Sequence, residues 1–312
     1  MIPPHTHAEH ASSLKPDKSW RIWWMLLRPH TLTAAFIPVT IGTVLALQEG
    51  SINYGLFIAM LIASILIQAA TNMFNEYFDY KRGLDNEHSV GIGGAIVRNG
   101  VQPSTVLNLA FTFFGISILL GIYICISSSW WIAVVGLVCM AAGYFYTGGP
   151  VPIAYTPLGE LVAGFFMGVV IILISFYIQT GTVTFTGFLV SLPVSILVGA
   201  ILLANNIRDL EGDKQNGRRT LAILLGRKRA IQFLGFMFLT SYLLVFLFIG
   251  MGISSAIILV VLLSVPKAYQ AVKAFIGKKL PIEMMPAMKA TAQTNTLFGF
   301  LLAIGLFLSH LM

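Results

Sequence analysis

Apolar residues run along this chain in nine long stretches, near 29–48, 54–75, 104–127, 130–147, 158–179, 184–205, 230–250, 252–272 and 291–311, with short polar connections between them. Each has roughly the 17 to 25 residues that an α-helix needs to cross a hydrocarbon core. The pattern predicts an all-α, polytopic membrane protein, with about nine transmembrane helices forming a single bundle over residues 21–312. The first 20 residues are polar, hold His5, His7 and His10, and contain no apolar h-region before Trp20. A disordered tail without a cleavable signal peptide is expected there. Residues 20–29 interleave Trp20, Trp23 and Trp24 with Arg21 and Arg28, the mixture found in interfacial helices.

Composition agrees with that pattern. Of the 312 residues, 57% are hydrophobic and 10% charged, against about 25% charged in soluble domains. The formal net charge of +7 raises the question of nucleic acid, and the position of the charges answers it. Threading the nine stretches with the N-terminus inside puts all 19 Lys and Arg residues on one side. The opposite side has uncharged connections such as Ser127–Ser129 and Thr180–Thr182, with Glu49 as its single charge. By the positive-inside rule the charged side is cytoplasmic in a cell membrane, and the basicity is topological, so no nucleic-acid partner is expected. Cys125 and Cys139 lie inside apolar stretches at no metal-ligand spacing, which makes them expected packing residues.

Charge topology does not account for the acids. Most of those on the charged side fall in two groups. The first follows the second apolar stretch and contains Asn72, Asn75, Glu76, Asp79 and, beyond Gly83, Asp85; Asn75 and Asp79 share a helix face. The second follows the sixth stretch, where Asn205, Asp209 and Asp213 recur every four residues and Glu211 lies between. Converging carboxylates repel one another and are costly near lipid, and a divalent cation relieves both problems. Hard oxygen donors favour Mg2+, which binds one or two carboxylates and leaves places for water and phosphate oxygens. Lys81, Arg82 and Arg98 follow the first group, and Lys214, Arg218 and Arg219 the second, as cations suited either to a diphosphate or to lipid headgroups.

Two connections add to this reading. Gly91, Gly93 and Gly94 form a glycine-rich run before Arg98 whose backbone N–H groups could cradle phosphate, although it matches no P-loop. The connection after the fourth stretch, with Tyr144, Tyr146, Gly148, Gly149, Pro150, Pro152 and Tyr155, is uncharged and aromatic, as a cap over a partly apolar substrate would be.

At these residues the chain resembles the UbiA-type intramembrane prenyltransferases. The resemblance covers nearly the whole chain, from Arg28-Pro29 to the last stretch. Asn75, Asp79 and Asp85 match the family's first Asp-rich motif, with Glu76 where Asp is common, and Asp209 and Asp213 match its second. Tyr146 to Pro150 with Glu160, and Asn205 to Asp209 leading to Arg218-Arg219-Thr220, are similar to the dihydroxynaphthoate branch of that family. The Tyr-Pro-x-x-Lys sequence of hydroxybenzoate-type relatives has no lysine counterpart here.

The resemblance implies a Mg2+-dependent transfer from a polyprenyl diphosphate to dihydroxynaphthoate at the cytoplasmic end of the bundle, with membrane lipid around the prenyl tail. It implies metal ligation by Asn75, Asp79, Asp85, Asp209 and Asp213, and catalytic roles for Asp79, Asp209, Asp213, Arg98 and Lys214. Substrate binding falls to Asn72, Lys81, Arg98, Tyr146, Tyr155, Lys214 and Arg218. Glu160 or a tyrosine is the candidate for proton transfer, and Tyr144, Tyr146 and Tyr155 are candidates for facing an allylic cation. Open alternatives are a different acceptor (4-hydroxybenzoate, a chlorin or haem) and a secondary transporter. Transporters place their ionisable residues at the midplane, whereas here the acids collect at one end.

Overall fold

The computed structural model describes residues 20–84 and 94–312, and all regular structure among them is helical. In chain order these helices are α1 (Arg21–Leu27), α2 (Pro29–Leu47), α3 (Tyr54–Lys81), α4 (Pro103–Ser127) and α5 (Trp131–Thr147). There follow α6 (Gly159–Thr180), α7 (Phe185–Gln215), the short α8 (Leu221–Leu225), α9 (Arg227–Gly250), α10 (Ala256–Phe275) and α11 (Pro281–His310). The expected tail over residues 1–19, Asp85 and the glycines at 91 and 93 lie outside the described residues.

Each of the nine apolar stretches falls on a helix, but the count is adjusted. Seven helices among the described residues are long and apolar enough to cross a membrane, or eight if α1 and α2, bent by 56° at their junction, are one span. The shortfall from nine is α5, whose 17 residues make a helix of about 25 Å. The outer surface suits lipid rather than water: Leu119, Leu161 and Leu263 are each at least two-thirds exposed, too apolar a cover for a soluble monomer.

Local sequence sets the helix ends. Asn53 and Thr184 cap α3 and α7, their side chains accepting from Leu56 N (3.2 Å) and Gly187 N (3.1 Å). Gly181 ends α6 in the left-handed region at φ 73°. Gly164 and Gly168, in a π-helical segment of α6, let that helix close on α7: a Cβ on Gly168 would stand 2.4 Å from Ser195 Cα.

The bundle packs as two halves, joined by a smaller core of residues from α2 to α6. One large core joins α2, α6, α7, α9, α10 and α11. A second joins α1, α3, α4 and α5 with Ala95 and Ile96 of the connection after α3. α3 has 28 residues and α7 has 31, about 42 and 46 Å of helix, against a hydrocarbon core of about 30 Å. Each half therefore extends one long helix beyond the apolar layer, and those extensions carry the two acidic segments.

Candidate active site

The two acidic segments, 130 residues apart in sequence, meet at one arginine. Arg218, just beyond the end of α7, places its Nη2 3.1 Å from Asp79 Oδ1 of α3 and its Nη1 3.0 Å from Asp213 Oδ1 of α7. Burial works against the Arg218 charge, but Asp213 and Asp79 outweigh it and raise its pKa, so it stays a cation. Asp213 Oδ2 is buried without a hydrogen-bond partner. One turn earlier, Asp209 is held by its neighbour Arg208, Nε to Oδ1 at 2.7 Å.

The aromatic connection after α5 covers this junction. The Tyr155 ring lies under two cations, Arg218 at 4.5 Å and Arg82 at 5.3 Å from its centroid. Arg219 N donates to Tyr155 O at 2.8 Å. Arg82 donates to the carbonyls of Thr147 and Gly149, and Thr147 Oγ1 donates to Asn75 Oδ1 at 2.7 Å. The expected cap is thus tied to both acidic segments.

Below the junction opens a cavity of about 330 Å³. Its lining runs along α3 from Asn75 back to Met60 and along α5 from Tyr146 back to Ile132, a depth of about 20 Å. The end near the acids is polar, with Thr31, Gln68, Asn72, Asn75 and Asn205; the deep end is lined by Ile122, Ile124, Gly136 and Trp130. Ile122, Trp130 and Leu137 line it and are also exposed on the lipid-facing surface, so the deep end communicates with hydrocarbon. Cys125 and Cys139, expected as packing residues, both line this cavity.

A second polar network stiffens the mouth. Glu76, 1% exposed, accepts from Gly94 N at 2.7 Å and Ile96 N at 3.3 Å, and its Oε2 lies 3.6 Å from Arg28 Nη2. Asn72 Nδ2 donates to Leu27 O at 2.8 Å and Thr31 Oγ1 at 2.9 Å, joining the end of α1 to the start of α2. At that elbow Arg28 has φ 51° and ψ 66°, the one non-glycine residue with positive φ among the described residues. For a side chain other than glycine this costs about 1–3 kcal/mol, which the network around it must sustain.

The sequence-predicted residues divide accordingly. Asp79, Asp213, Arg218 and Tyr155 come together; Asn75 and Tyr146 line the cavity beside them; Asp209 lies one turn away. Lys81 and Lys214 are exposed. Arg98 packs its guanidinium against Gly94, where a Cβ would meet its Nε at 2.2 Å. Asn72 lines the cavity while its amide holds the elbow. Tyr144 belongs instead to an aromatic cluster with Phe74, Phe78 and Phe145, which seats α5 on α3. Glu160 is buried on α6, where Oε1 accepts from Asn206 Nδ2 at 2.8 Å and Oε2 has no hydrogen-bond partner. The sequence reads Arg28 as an interfacial anchor and leaves Arg82 open between a diphosphate and lipid headgroups; the structure places Arg28 in the cavity lining and Arg82 on the cap.

The donors fit magnesium better than a metal caged by protein alone. Among the described residues no three His, Cys, Asp or Glu side chains gather as a metal cage. What gathers is a pair of carboxylates, Asp79 and Asp213, the second with a buried oxygen free of hydrogen bonds. One or two carboxylates is the number Mg2+ takes when phosphate oxygens and water complete its shell.

This geometry has relatives. The chain is 58% identical over 290 residues, 93% of each protein, to the 1,4-dihydroxy-2-naphthoate octaprenyltransferase of Bacillus subtilis (strain 168). Among solved structures, the apo UbiA homolog from Aeropyrum pernix K1 superposes with a TM-score of 0.69 at 16% identity, covering 88% of this chain and 98% of that one. A UbiA homolog from Archaeoglobus fulgidus bound to DMAPP and Mg2+ superposes with a TM-score of 0.59 at 14% identity, covering 91% and 99%. Residues 35–281 match the UbiA prenyltransferase family, and the chain belongs to that family.

Proposed function

We propose that this protein transfers a polyprenyl group from an allylic polyprenyl diphosphate to 1,4-dihydroxy-2-naphthoate, with loss of the carboxylate, giving the demethylmenaquinol of menaquinone biosynthesis. The identity of 58% to the Bacillus subtilis octaprenyltransferase supports the acceptor. The observation that carries the reaction class is the meeting of Asp79 and Asp213 on Arg218 at the mouth of an apolar cavity about 20 Å deep. An anionic head and a long apolar tail are the two features of a polyprenyl diphosphate, and the site has a part for each.

Asn75, Asp79, Asp85, Asp209 and Asp213 are the residues that would hold Mg2+, which when bound offsets the charge growing on the departing diphosphate. Arg218, kept cationic by its two carboxylates, supplies a forked donor to the same oxygens. Lys81, Arg98 and Lys214 are further cations on this side of the bundle. The allylic C–O bond breaks with its electron pair going to the diphosphate, and a C–C bond forms to the electron-rich ring. The ring then regains aromaticity as its carboxylate leaves as CO2. Tyr146 lines the cavity below the junction and offers its ring face to the electron-poor allylic carbon, while the cap anchored by Arg82 and Tyr155 excludes water. The apolar deep end supports lodging the prenyl tail, with the remainder passing into lipid. The concentration of cations at one end supports a cytoplasmic site in the cell membrane with the N-terminus on that side.

Membranes containing the protein are expected to form a prenylated naphthoquinol from an allylic polyprenyl diphosphate, 1,4-dihydroxy-2-naphthoate and Mg2+. Prenylation of 4-hydroxybenzoate instead would overturn the acceptor. Persistence of full activity in excess chelator would overturn the metal dependence.

A further inference from the structure

The cavity has a single charged residue in its lining among the described residues, Arg28, and nothing in the transfer chemistry above uses it. Its position is built rather than incidental. Arg28 occupies a left-handed conformation at the α1–α2 elbow. Asn72 clamps the elbow from both sides, and Thr31 Oγ1 donates back to Arg28 O at 2.9 Å. Asn72 is itself oriented by Gln68 at 3.3 Å. The Arg28 side chain is only partly accessible, at 22%, and its ion-pair partner, Glu76 Oε2, stands at 3.6 Å from Nη2, beyond hydrogen-bond length. Glu76 uses its other oxygen on the Gly94 and Ile96 amides. Arg28 therefore lines the cavity without a hydrogen bond to Glu76 and within electrostatic reach of Asp79, with Thr31 and Gln68 in the same lining.

We infer that Arg28 is the recognition site for the carboxylate of the aromatic acceptor. Two anions enter this protein in the proposed reaction, on which the inference rests. The diphosphate belongs to the Asp79–Asp213–Arg218 junction. The acceptor carboxylate must enter the cavity, where the ring attacks, and an aryl carboxylate is the planar, two-oxygen ligand that a guanidinium fork matches bidentately. A hydroxyl and an amide beside the fork suit the ring hydroxyls.

The test compares steady-state kinetics of the full-length membrane enzyme with its Arg28→Gln and Arg28→Lys variants. Donor and acceptor are varied separately, with 1,4-dihydroxynaphthalene, the same ring without the carboxylate, as a competitive inhibitor. In Arg28→Gln the KM for 1,4-dihydroxy-2-naphthoate is expected to rise about 10- to 100-fold, the loss of one charge-assisted contact. The donor KM and the Ki of the diol should stay within about 2-fold of wild type. Arg28→Lys, which keeps the charge but not the fork, should fall between. A rise in donor KM with the acceptor KM unchanged would reassign Arg28 to the diphosphate and overturn the inference. An equal weakening of naphthoate and diol would reduce it to a structural residue, with the same consequence. If Arg28→Gln does not fold, fluorescence titration of the naphthoate against Arg28→Lys decides, since unaltered affinity there also overturns it. Failure of the wild-type enzyme to use the naphthoate at all would count instead against the proposed function.

Discussion

The ends of α3 and α7 look alike in sequence, each a helix leaving the apolar layer with Asn and acidic residues at helical spacing, but they are used differently. On α3 most of the polar side chains are committed to holding neighbouring elements together. Asn72 joins α1 to α2, Asn75 meets Thr147, and Glu76 closes the connection at residues 94–96; Asp79 instead reaches Arg218 beyond the end of α7. On α7 the acids are less tied to the fold: Asp213 has an oxygen with no hydrogen bond, Asp209 pairs with its chain neighbour, and Glu211 is 69% exposed. Depth of burial therefore does not rank these residues by chemistry. Among the described residues Glu76 is the most buried acid of the two segments and is bonded to the Gly94 and Ile96 amides, whereas Asp79, with a side chain 21% exposed, faces the junction.

The largest effect is expected from the two acids that meet on Arg218 and from Asp209, one turn away. Asp79→Ala, Asp209→Ala and Asp213→Ala should each reduce kcat by about 10³-fold or more, the scale of removing a principal source of transition-state charge stabilisation. Each should still elute as a folded, monodisperse protein in detergent, because deleting a desolvated carboxylate leaves Arg218 with its remaining partner. Activity within about 10-fold of wild type in the Asp79 variant would break the division between the two kinds of acid.

Glu76 should respond the opposite way. Its removal in Glu76→Ala strands the Gly94 and Ile96 amides and takes from Arg28 its counter-charge. Removing one partner of a buried charge pair, here a carboxylate that also holds two amides, costs about 3–5 kcal/mol, which should appear as a fall of several degrees in thermal midpoint. The surviving folded fraction should keep kcat within about 10-fold of wild type, because Glu76 contacts neither junction carboxylate through a bond. A variant with normal stability and abolished turnover would move Glu76 into the reaction chemistry.

The fold was legible because lipid imposes a simple rule: each span must be apolar throughout and satisfy its own backbone, so length and hydropathy suffice to locate it. The rule weakens where helices depart from a straight span. The α1–α2 elbow and the 17-residue α5 are what reduce nine expected spans to seven or eight. In the site, the i, i+4 spacing picked out the face carrying Asn75 and Asp79 and that carrying Asn205, Asp209 and Asp213. It could not reveal that Arg218 would join them, because the pairing depends on how the two halves dock. Nor could it separate Asn72 from Asn75, three residues apart and both lining the cavity, since the distinction lies in Leu27 and Thr31 on a different helix. Arg28 was hidden by the positive-inside rule, which explains any basic residue on that side and so singles out none.

The smallest effect should come from Glu211, and its smallness is informative. Glu211 sits between Asp209 and Asp213 in sequence, but successive helical residues turn by about 100°, so it points away from the face those two share. Its partner Arg227 Nη2 is 3.6 Å from its Oε1, and 69% of the carboxylate side chain is exposed. Exposed pairs of this kind contribute within about 0.5 kcal/mol once solvent screening is counted. Glu211→Gln should therefore leave the thermal midpoint within a degree or so and kcat/KM within about 2-fold. If turnover instead fell by about 10-fold or more, proximity within the acidic segment, rather than helix face, would be what selects the catalytic acids. A silent Glu211 beside an essential Asp209 and Asp213 would assign the selection to a single face of α7, the one turned toward Arg218 and the cavity.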